Sequence, residues 1–209
     1  MKLYSFFRSS AAYRARIALH LKGIPFETVP IRLTRNDQNQ PAYRSLNPQG
    51  RVPALQLDDG TVIAQSLAIV DYLETTHPDP AIHPRDPALR ARSLAVALTI
   101  ACDTHPFNNL PVTDYLRSKL GADQPAIDAW IAHWITSGFT AVEQMIDGDG
   151  FAFGDTPTVA DICIVPQVFN ARRFKVDISA FPRIVRVDAQ ATAHPAFARA
   201  HPSNQPDAE

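Results

Sequence analysis

The sequence predicts an α+β chain in two parts, a small sheet with helices over residues 1–80 and an all-helical domain over 87–209. Two observations carry that division. Ahead of His77, strand-like and helix-like segments alternate in the order βαβ then ββα. At His77-Pro78-Asp79-Pro80, with Pro84 and Pro87 following, the punctuation changes, and everything beyond it has helical spacing.

The elements of the first part follow in order. Leu3-Tyr4-Ser5-Phe6 reads as a short strand. Ser9-Ser10 can cap the Ala/Leu/Arg-rich helix that follows, and Lys22-Gly23 marks its end. Phe26 to Ile31 alternates like a second strand, and a helix joining two parallel strands makes a βαβ unit. After a polar stretch around Thr34 to Gln40, Val52–Leu57 and Thr61–Ala64 flank Asp58-Asp59-Gly60, a hairpin signature. Gln65-Ser66 then precedes Leu67, Val70 and Leu73, one face of a helix. That element order is thioredoxin-like. In the second part, residues 88–101 are Ala/Leu-rich. Asp123 with Pro125 opens a long helix whose Ile127, Trp130, Ile131, Trp134, Ile135, Val142 and Met145 fit a buried face. Thr158-Val159-Ala160-Asp161 has capping-box spacing ahead of an apolar helix interrupted by Pro166. The tail from His201 to Glu209 is expected to be a loosely held extension.

Composition limits the function classes. A chain of 209 residues with 45% hydrophobic and 20% charged residues can bury a core and is neither disordered nor collagen-like. Balanced charges, 20 Lys+Arg against 21 Asp+Glu, provide no field to attract nucleic acid or an anionic membrane. No run approaches the roughly 20 apolar residues of a membrane helix, and no signal peptide is evident, so a cytoplasmic protein is expected. Cys102 and Cys163 are far apart, with no CxxC and no nearby Cys/His pairing that would suggest zinc, so neither a disulfide framework nor a metal site is expected. The 18 Pro against 8 Gly suggest defined helix starts and rigid turns rather than flexible linkers.

Three features of the first part converge on anion binding. At Phe7-Arg8-Ser9-Ser10, a hydroxyl and the free N–H groups of a helix N-terminus can hold an anion such as a thiolate, although either serine can simply cap the helix. Val52-Pro53 precedes a strand, and a cis bond there would present the Val52 N–H and C=O to an extended peptide. Gln65-Ser66 begins a helix whose hydroxyl, amide and N-terminal N–H groups form a carboxylate receptor, with capping again the simpler reading. Together they suggest a site for a short anionic peptide.

Arg8-Ser9-Ser10-Ala11-Ala12-Tyr13-Arg14-Ala15-Arg16-Ile17-Ala18-Leu19, Asn47-Pro48, Val52-Pro53, Gln65-Ser66-Leu67-Ala68-Ile69 and the run from Val165-Pro166 through Asn170-Ala171-Arg172-Arg173-Phe174 to Asp177 resemble the zeta class of glutathione transferases. That class includes maleylacetoacetate isomerases and bacterial maleylpyruvate isomerases. The resemblance implies a homodimer with glutathione as cofactor, bound between the domains. It implies that Ser9 and Ser10 attend the thiol, that Val52, beside Pro53, pairs with the cysteinyl backbone, and that Gln65 and Ser66 take the γ-glutamyl group. Asp103 to Asn109 resembles a stretch that supplies a His and an Asn to the site, matched here by His105 and Asn109. Arg8 and Arg173 match arginines suited to the carboxylates of a small diacid, since a guanidinium binds carboxylate bidentately and stays charged. Two positions depart from the pattern: Ala11 stands where the class has Cys after Ser-Ser, and Leu110 where the maleylpyruvate isomerases carry Arg.

The implied activity is a glutathione-dependent cis–trans isomerisation of a maleyl keto acid. A conjugated C=C can rotate only while its double-bond character is removed, and reversible thiolate addition does this without metal or redox chemistry. A thiol of pKa about 8.5 is only a few per cent ionised at pH 7, and one hydrogen bond to the charged form, about 1.5–3 kcal/mol, lowers that pKa by about one to two units. Two alternatives remain: a transferase that conjugates small electrophiles such as haloacids, and a non-catalytic glutathione-binding module.

Overall fold

A computed structural model describes residues 1–208. The chain forms two compact units, one of Met1–Ile82 together with the segment from Ala193 onward, the other of His83–Thr192.

The first unit is thioredoxin-like, as the element order predicts. Strands β1 (Lys2–Ser5), β2 (Glu27–Pro30), β3 (Ala54–Gln56) and β4 (Val62–Ala64) form one sheet in the order β2-β1-β3-β4. β1 and β2 are parallel, whereas β3 is antiparallel to both β1 and β4. Pro30 is tolerated because β2 is an edge strand. Helix α1 (Ser10–Leu21) connects β1 to β2. It ends because Gly23 adopts φ +66° and donates to His20 O while Ile24 donates to Leu19 O, closing the helix with a left-handed residue. A short helix α2 (Pro41–Leu46) follows the polar stretch, and α3 (Ser66–Thr76) follows β4. The hairpin turns at Asp59-Gly60, with Asp59 Oδ1 accepting from Thr61 N at 2.8 Å.

The chain returns to this unit at its far end, which corrects two expectations. Residues 87–209 were expected as one helical domain with a loose tail. Instead, α9 (Pro195–Ala200) packs on α1. The cause is Arg16, fully buried in α1: Nε donates to Ala200 O at 3.0 Å, Nη1 to Ser5 Oγ at 2.9 Å and Nη2 to Phe7 O at 2.9 Å. Desolvation pulls its pKa down to about 10, still well above neutrality. The tail is also tied by Phe7 N to Asp207 Oδ2 at 3.0 Å and by Gln205 Nε2, which donates to the carbonyls of Arg199 and His201. Glu209 lies outside the described residues.

The second unit is helical throughout: α4 (Pro87–Asp103), α5 (Leu110–Leu120), α6 (Gln124–Met145), α7 (Val159–Arg173) and α8 (Pro182–Thr192), with a 3-10 turn at His105–Asn108. α7 is buried along nearly its whole length and packs against α4 and α8. The expected face of α6 buries Ile127, Ile131, Ile135 and Val142, while Trp130, Trp134 and Met145 are only half-buried. The two tryptophans instead seat the 3-10 turn, Trp130 Nε1 donating to Phe107 O at 2.8 Å and Trp134 stacking on the Phe107 ring at 4.1 Å. The predicted capping box is present. Buried Asp161 accepts from Thr158 N at 2.7 Å, Thr158 Oγ1 at 2.9 Å and Ala152 N at 2.7 Å, and burial nevertheless raises its carboxyl to about 6.

Candidate active site

Sheet register brings the three sequence features of the first unit to one end. Tyr4 pairs with Ala54, and Ala54 with Ala64, so the exit of β1, the entry of β3 and the exit of β4 share a row. Adjacent strands lie about 4.8 Å apart, so this row spans roughly 10 Å, close to the reach of an extended tripeptide. The chain after β1 leads to Ser9, the chain before β3 carries Val52-Pro53, and the chain after β4 is Gln65-Ser66.

Ser9 is the N-cap of α1, its Oγ accepting from Ala12 N at 3.2 Å. A hydroxyl that accepts through a lone pair still has its hydrogen to donate, so capping and anion binding are compatible at this residue. Ser10 is the first helical residue and is buried, and Ala11 stands in the same first turn. No acidic residue occupies that turn; the nearby carboxylate of Asp207 is engaged by Phe7 N at 3.0 Å, ahead of the helix start. Arg8 adds charge beside it. Its guanidinium lies 5.5 and 5.3 Å from the Phe6 and Phe7 ring centroids, and its Nε is buried with no hydrogen-bond partner among the described residues.

The Val52–Pro53 peptide is cis. Among the described residues the Val52 N–H and C=O make no backbone hydrogen bond, while the side chain packs with Phe6, Phe7, Ile31 and Tyr43. The preceding loop is pinned by two donors to Arg51 O, Tyr43 Oη at 2.6 Å and Asn47 Nδ2 at 2.7 Å. Burial pushes the Tyr43 phenol up to about 12, which keeps it a donor across the physiological range. Tyr43 was missed in the sequence, and Asn47 was noted only as part of Asn47-Pro48.

At the third feature the capping reading fails for Ser66. Gln65, at φ +73° and ψ 124°, is the N-cap and makes no capping bond, and Ser66 is the buried first residue of α3. The Gln65 side chain is exposed and donates from Nε2 to Gln49 Oε1 at 2.9 Å. A non-glycine residue in this left-handed region costs of order 1–3 kcal/mol, and such residues cluster at ligand clamps. As in α1, the first turn of α3 has no acid.

In the second unit, His105 opens the 3-10 turn and is half-buried. Asn109 is the N-cap of α5, its Oδ1 accepting from Leu110 N at 2.9 Å, and Leu110 is 49% exposed. The neighbouring Asn108, which the sequence reading passed over, is the buried one. Its Nδ2 donates to Thr104 O at 3.1 Å and its Oδ1 accepts from Asn170 Nδ2 at 2.7 Å. Asn170 Oδ1 accepts from Arg173 Nη2 at 2.8 Å and Nε at 3.3 Å, and the Arg173 guanidinium stacks 4.2 Å from the Phe174 ring centroid. Arg172 turns elsewhere, its Nη1 pairing with Asp188 at 2.6 Å.

The site therefore offers two helix N-termini with no acid in the first turn and, among the described residues, a buried Arg8 Nε without a hydrogen-bond partner and a Val52 backbone with no backbone hydrogen bond. This donor set fits an extended peptide that carries negative charge at both ends. Comparison with known proteins agrees. Residues 8–76 match the family model for the glutathione S-transferase N-terminal domain, and residues 124–199 that for the C-terminal domain. The chain is 50% identical to maleylacetoacetate isomerase of Pseudomonas aeruginosa over 99% of its own length and 98% of that relative. Among solved structures, a holo maleylpyruvate isomerase described as a bacterial zeta-class glutathione S-transferase superposes with TM-score 0.97 at 46% identity, covering 100% of both chains. A maleylacetoacetate isomerase from Methylobacterium extorquens AM1, with bound malonate and GSH, superposes with TM-score 0.95 at 38% identity, again covering 100% of both.

Proposed function

The chain belongs to the glutathione S-transferase family, in its zeta class, and from that premise we propose a glutathione-dependent cis–trans isomerase that converts a maleyl keto acid, maleylacetoacetate or maleylpyruvate, to its fumaryl isomer. The observation that carries this reading is the sheet row Tyr4–Ala54–Ala64, which sets the Ser9 helix start, Val52 and the Gln65 helix start along one tripeptide-length edge.

When bound, glutathione supplies a thiolate that adds reversibly to the conjugated C=C, so the bond rotates and the thiol is regenerated. The chain's own residues do the rest. Ser9 donates its hydroxyl hydrogen to the thiolate while its oxygen keeps the cap, and the α1 N-terminus and Arg8 add positive potential that favours the ionised sulfur. Ser10 lies buried beneath that corner. Val52 pairs with the cysteinyl backbone as an added strand would, and Pro53 fixes its approach. Ser66 and the α3 N-terminus receive the γ-glutamyl carboxylate, with Gln65 hydrogen-bonding the same group. His105 and Asn109 are assigned to the cofactor as well, and Arg8 and Arg173 to the two carboxylates of the substrate.

A homodimer and cytoplasmic residence belong to the same proposal. Leu98, Leu110, Tyr115 and Leu120 are large exposed apolar side chains that a second copy would cover, which light scattering tests. Cys102 is an exposed free thiol, in keeping with the reducing compartment that holds reduced glutathione. The test of function is an ultraviolet assay of maleylacetoacetate and maleylpyruvate with and without glutathione. Isomerisation that depends on glutathione without consuming it is expected, and equal rates in both conditions overturn the reading.

A further inference from the structure

We infer that Asn170 and Asn108 are positioning residues that aim Arg173 at a substrate carboxylate through a hydrogen-bond chain anchored on the carbonyl of Thr104. The inference rests on the role proposed for Arg173 and extends it to two residues that touch no ligand.

The chain has only one possible direction. The Thr104 carbonyl can only accept, so Asn108 must turn Nδ2 towards it and present Oδ1 to its other neighbour. Asn170 must therefore point its Nδ2 at Asn108, which leaves Oδ1 facing Arg173, a group that can only donate. Flipping either amide would set donor against donor or acceptor against acceptor at both of its contacts. Both amides are buried, at 4% and 3% exposure, so no solvent rotation competes.

The result is a guanidinium held in two dimensions. Asn170 Oδ1 takes the Nε–Nη2 edge, at 3.3 and 2.8 Å, and Phe174 takes one face at 4.2 Å. Arginine carries much rotamer freedom, and fixing its plane beforehand lowers the ordering cost of carboxylate binding. The anchor lies in the segment Thr104–Asn109, which also carries His105 and Asn109, so one chain of amides ties the cofactor-side turn to the substrate-side arginine. Thr104, at the start of the turn, is itself closely packed: a Cβ on Gly138 would meet its Oγ1 at 2.0 Å.

The test compares Asn170→Leu, Asn108→Leu and Arg173→Ala in the glutathione-loaded protein, with malonate affinity measured by calorimetry alongside steady-state kinetics. Loss of aim removes binding common to ground and transition states, so we expect malonate Kd and diacid KM to rise by about tenfold in both leucine variants, with kcat within about twofold, and the glutathione KM unchanged in Asn170→Leu, which leaves the turn's own bond from Asn108 to Thr104 intact. The double leucine variant should match the singles rather than multiply them, since all three break one chain. In the wild type, the Arg173 Nε–H is expected to show as a slowly exchanging nuclear magnetic resonance signal that is lost in Asn108→Leu. This reading stands on the unmutated protein even if Asn170→Leu fails to fold. Arg173→Ala without effect on malonate overturns the role of Arg173 and this inference with it. A strong Arg173→Ala effect with unchanged leucine variants, or a rapidly exchanging wild-type Nε–H, overturns the inference alone.

Discussion

Replacing Ser9 by Ala separates the cap that its oxygen makes from the thiolate donation proposed for the same hydroxyl. As N-cap, Ser9 satisfies Ala12 N at 3.2 Å, and its loss should cost about 1 kcal/mol of stability. As donor to the bound thiolate, the hydroxyl contributes about 1.5–3 kcal/mol, which at 1.36 kcal/mol per unit is a rise of about one to two units in the thiol pKa. If the wild-type thiol titrates near 7, the ionised fraction at neutral pH falls from about half to between about a tenth and a hundredth. Isomerisation should fall in proportion and recover as the pH is raised. The assay is the ultraviolet absorbance of the bound thiolate titrated against pH, beside the pH–rate profile and the melting temperature. Ser9→Asp is the control: aspartate caps a helix as well as serine does, so stability should stay near wild type, yet its charge should push the thiol pKa above even that of Ser9→Ala. If both variants bind glutathione with a wild-type thiol titration, Ser9 is a cap and nothing more, and the proposed origin of thiolate activation is wrong.

Further expectations rest on single interactions. Asp161→Ala removes three hydrogen bonds to a buried carboxyl and should destabilise by about 3 kcal/mol near pH 4 in denaturant unfolding. Because the folded carboxyl titrates near 6 against 3.8 for the ordinary group, the native state binds its proton more tightly. The wild-type advantage should therefore be full below about 4 and shrink as pH rises through 6; a constant difference would contradict the burial argument. Gln65→Gly relieves a left-handed residue at φ +73° and should raise stability by about 1 kcal/mol while weakening glutathione binding, with melting temperature and calorimetry moving in opposite senses. Arg16→Met strands the carbonyls of Ala200 and Phe7, at about 1–3 kcal/mol each, and the segment after Ala193 should become the first cleaved in limited proteolysis. Preserved protease resistance there would mean that another contact holds the tail.

The first unit was legible because its signals are local. Ser9 and Gly23 bracket α1, Asp59-Gly60 turns the hairpin, and each depends on residues within a few positions. Where sequence reading stopped, the determinant was remote. Nothing near Arg16 announces that its partner is Ala200, 184 positions away, so the return of the tail could not be read. The short α2 and α5, which buries Thr113 alone, lacked a strong enough pattern, whereas α8 carries a clear stripe, Ile184, Val187 and Ala191, that the sequence reading left unplaced. Within the site, Gln65-Ser66 reads as a carboxylate receptor with capping by Ser66 as the simpler alternative, and that alternative fails because the chain enters α3 through a left-handed turn that puts Gln65 in the cap position. Asn108 and Asn109 are chemically identical neighbours, and only the packing of the 3-10 turn decides that one faces inward to Asn170 while the other caps α5. A buried amide on an otherwise apolar helix, as at Asn170, was the one available hint.

The clasp between Arg16 and Ala200 also sets an order of events during synthesis. Residues 1–82 emerge from the ribosome with the sheet and α1 complete in sequence, yet the carbonyl that accepts from the buried guanidinium emerges only after the whole of His83–Thr192 has been made. The nascent first unit must therefore wait with a charged side chain short of one partner. The corner around Phe7 is begun first and finished late, and a tag or truncation beyond Ala193 acts on it directly.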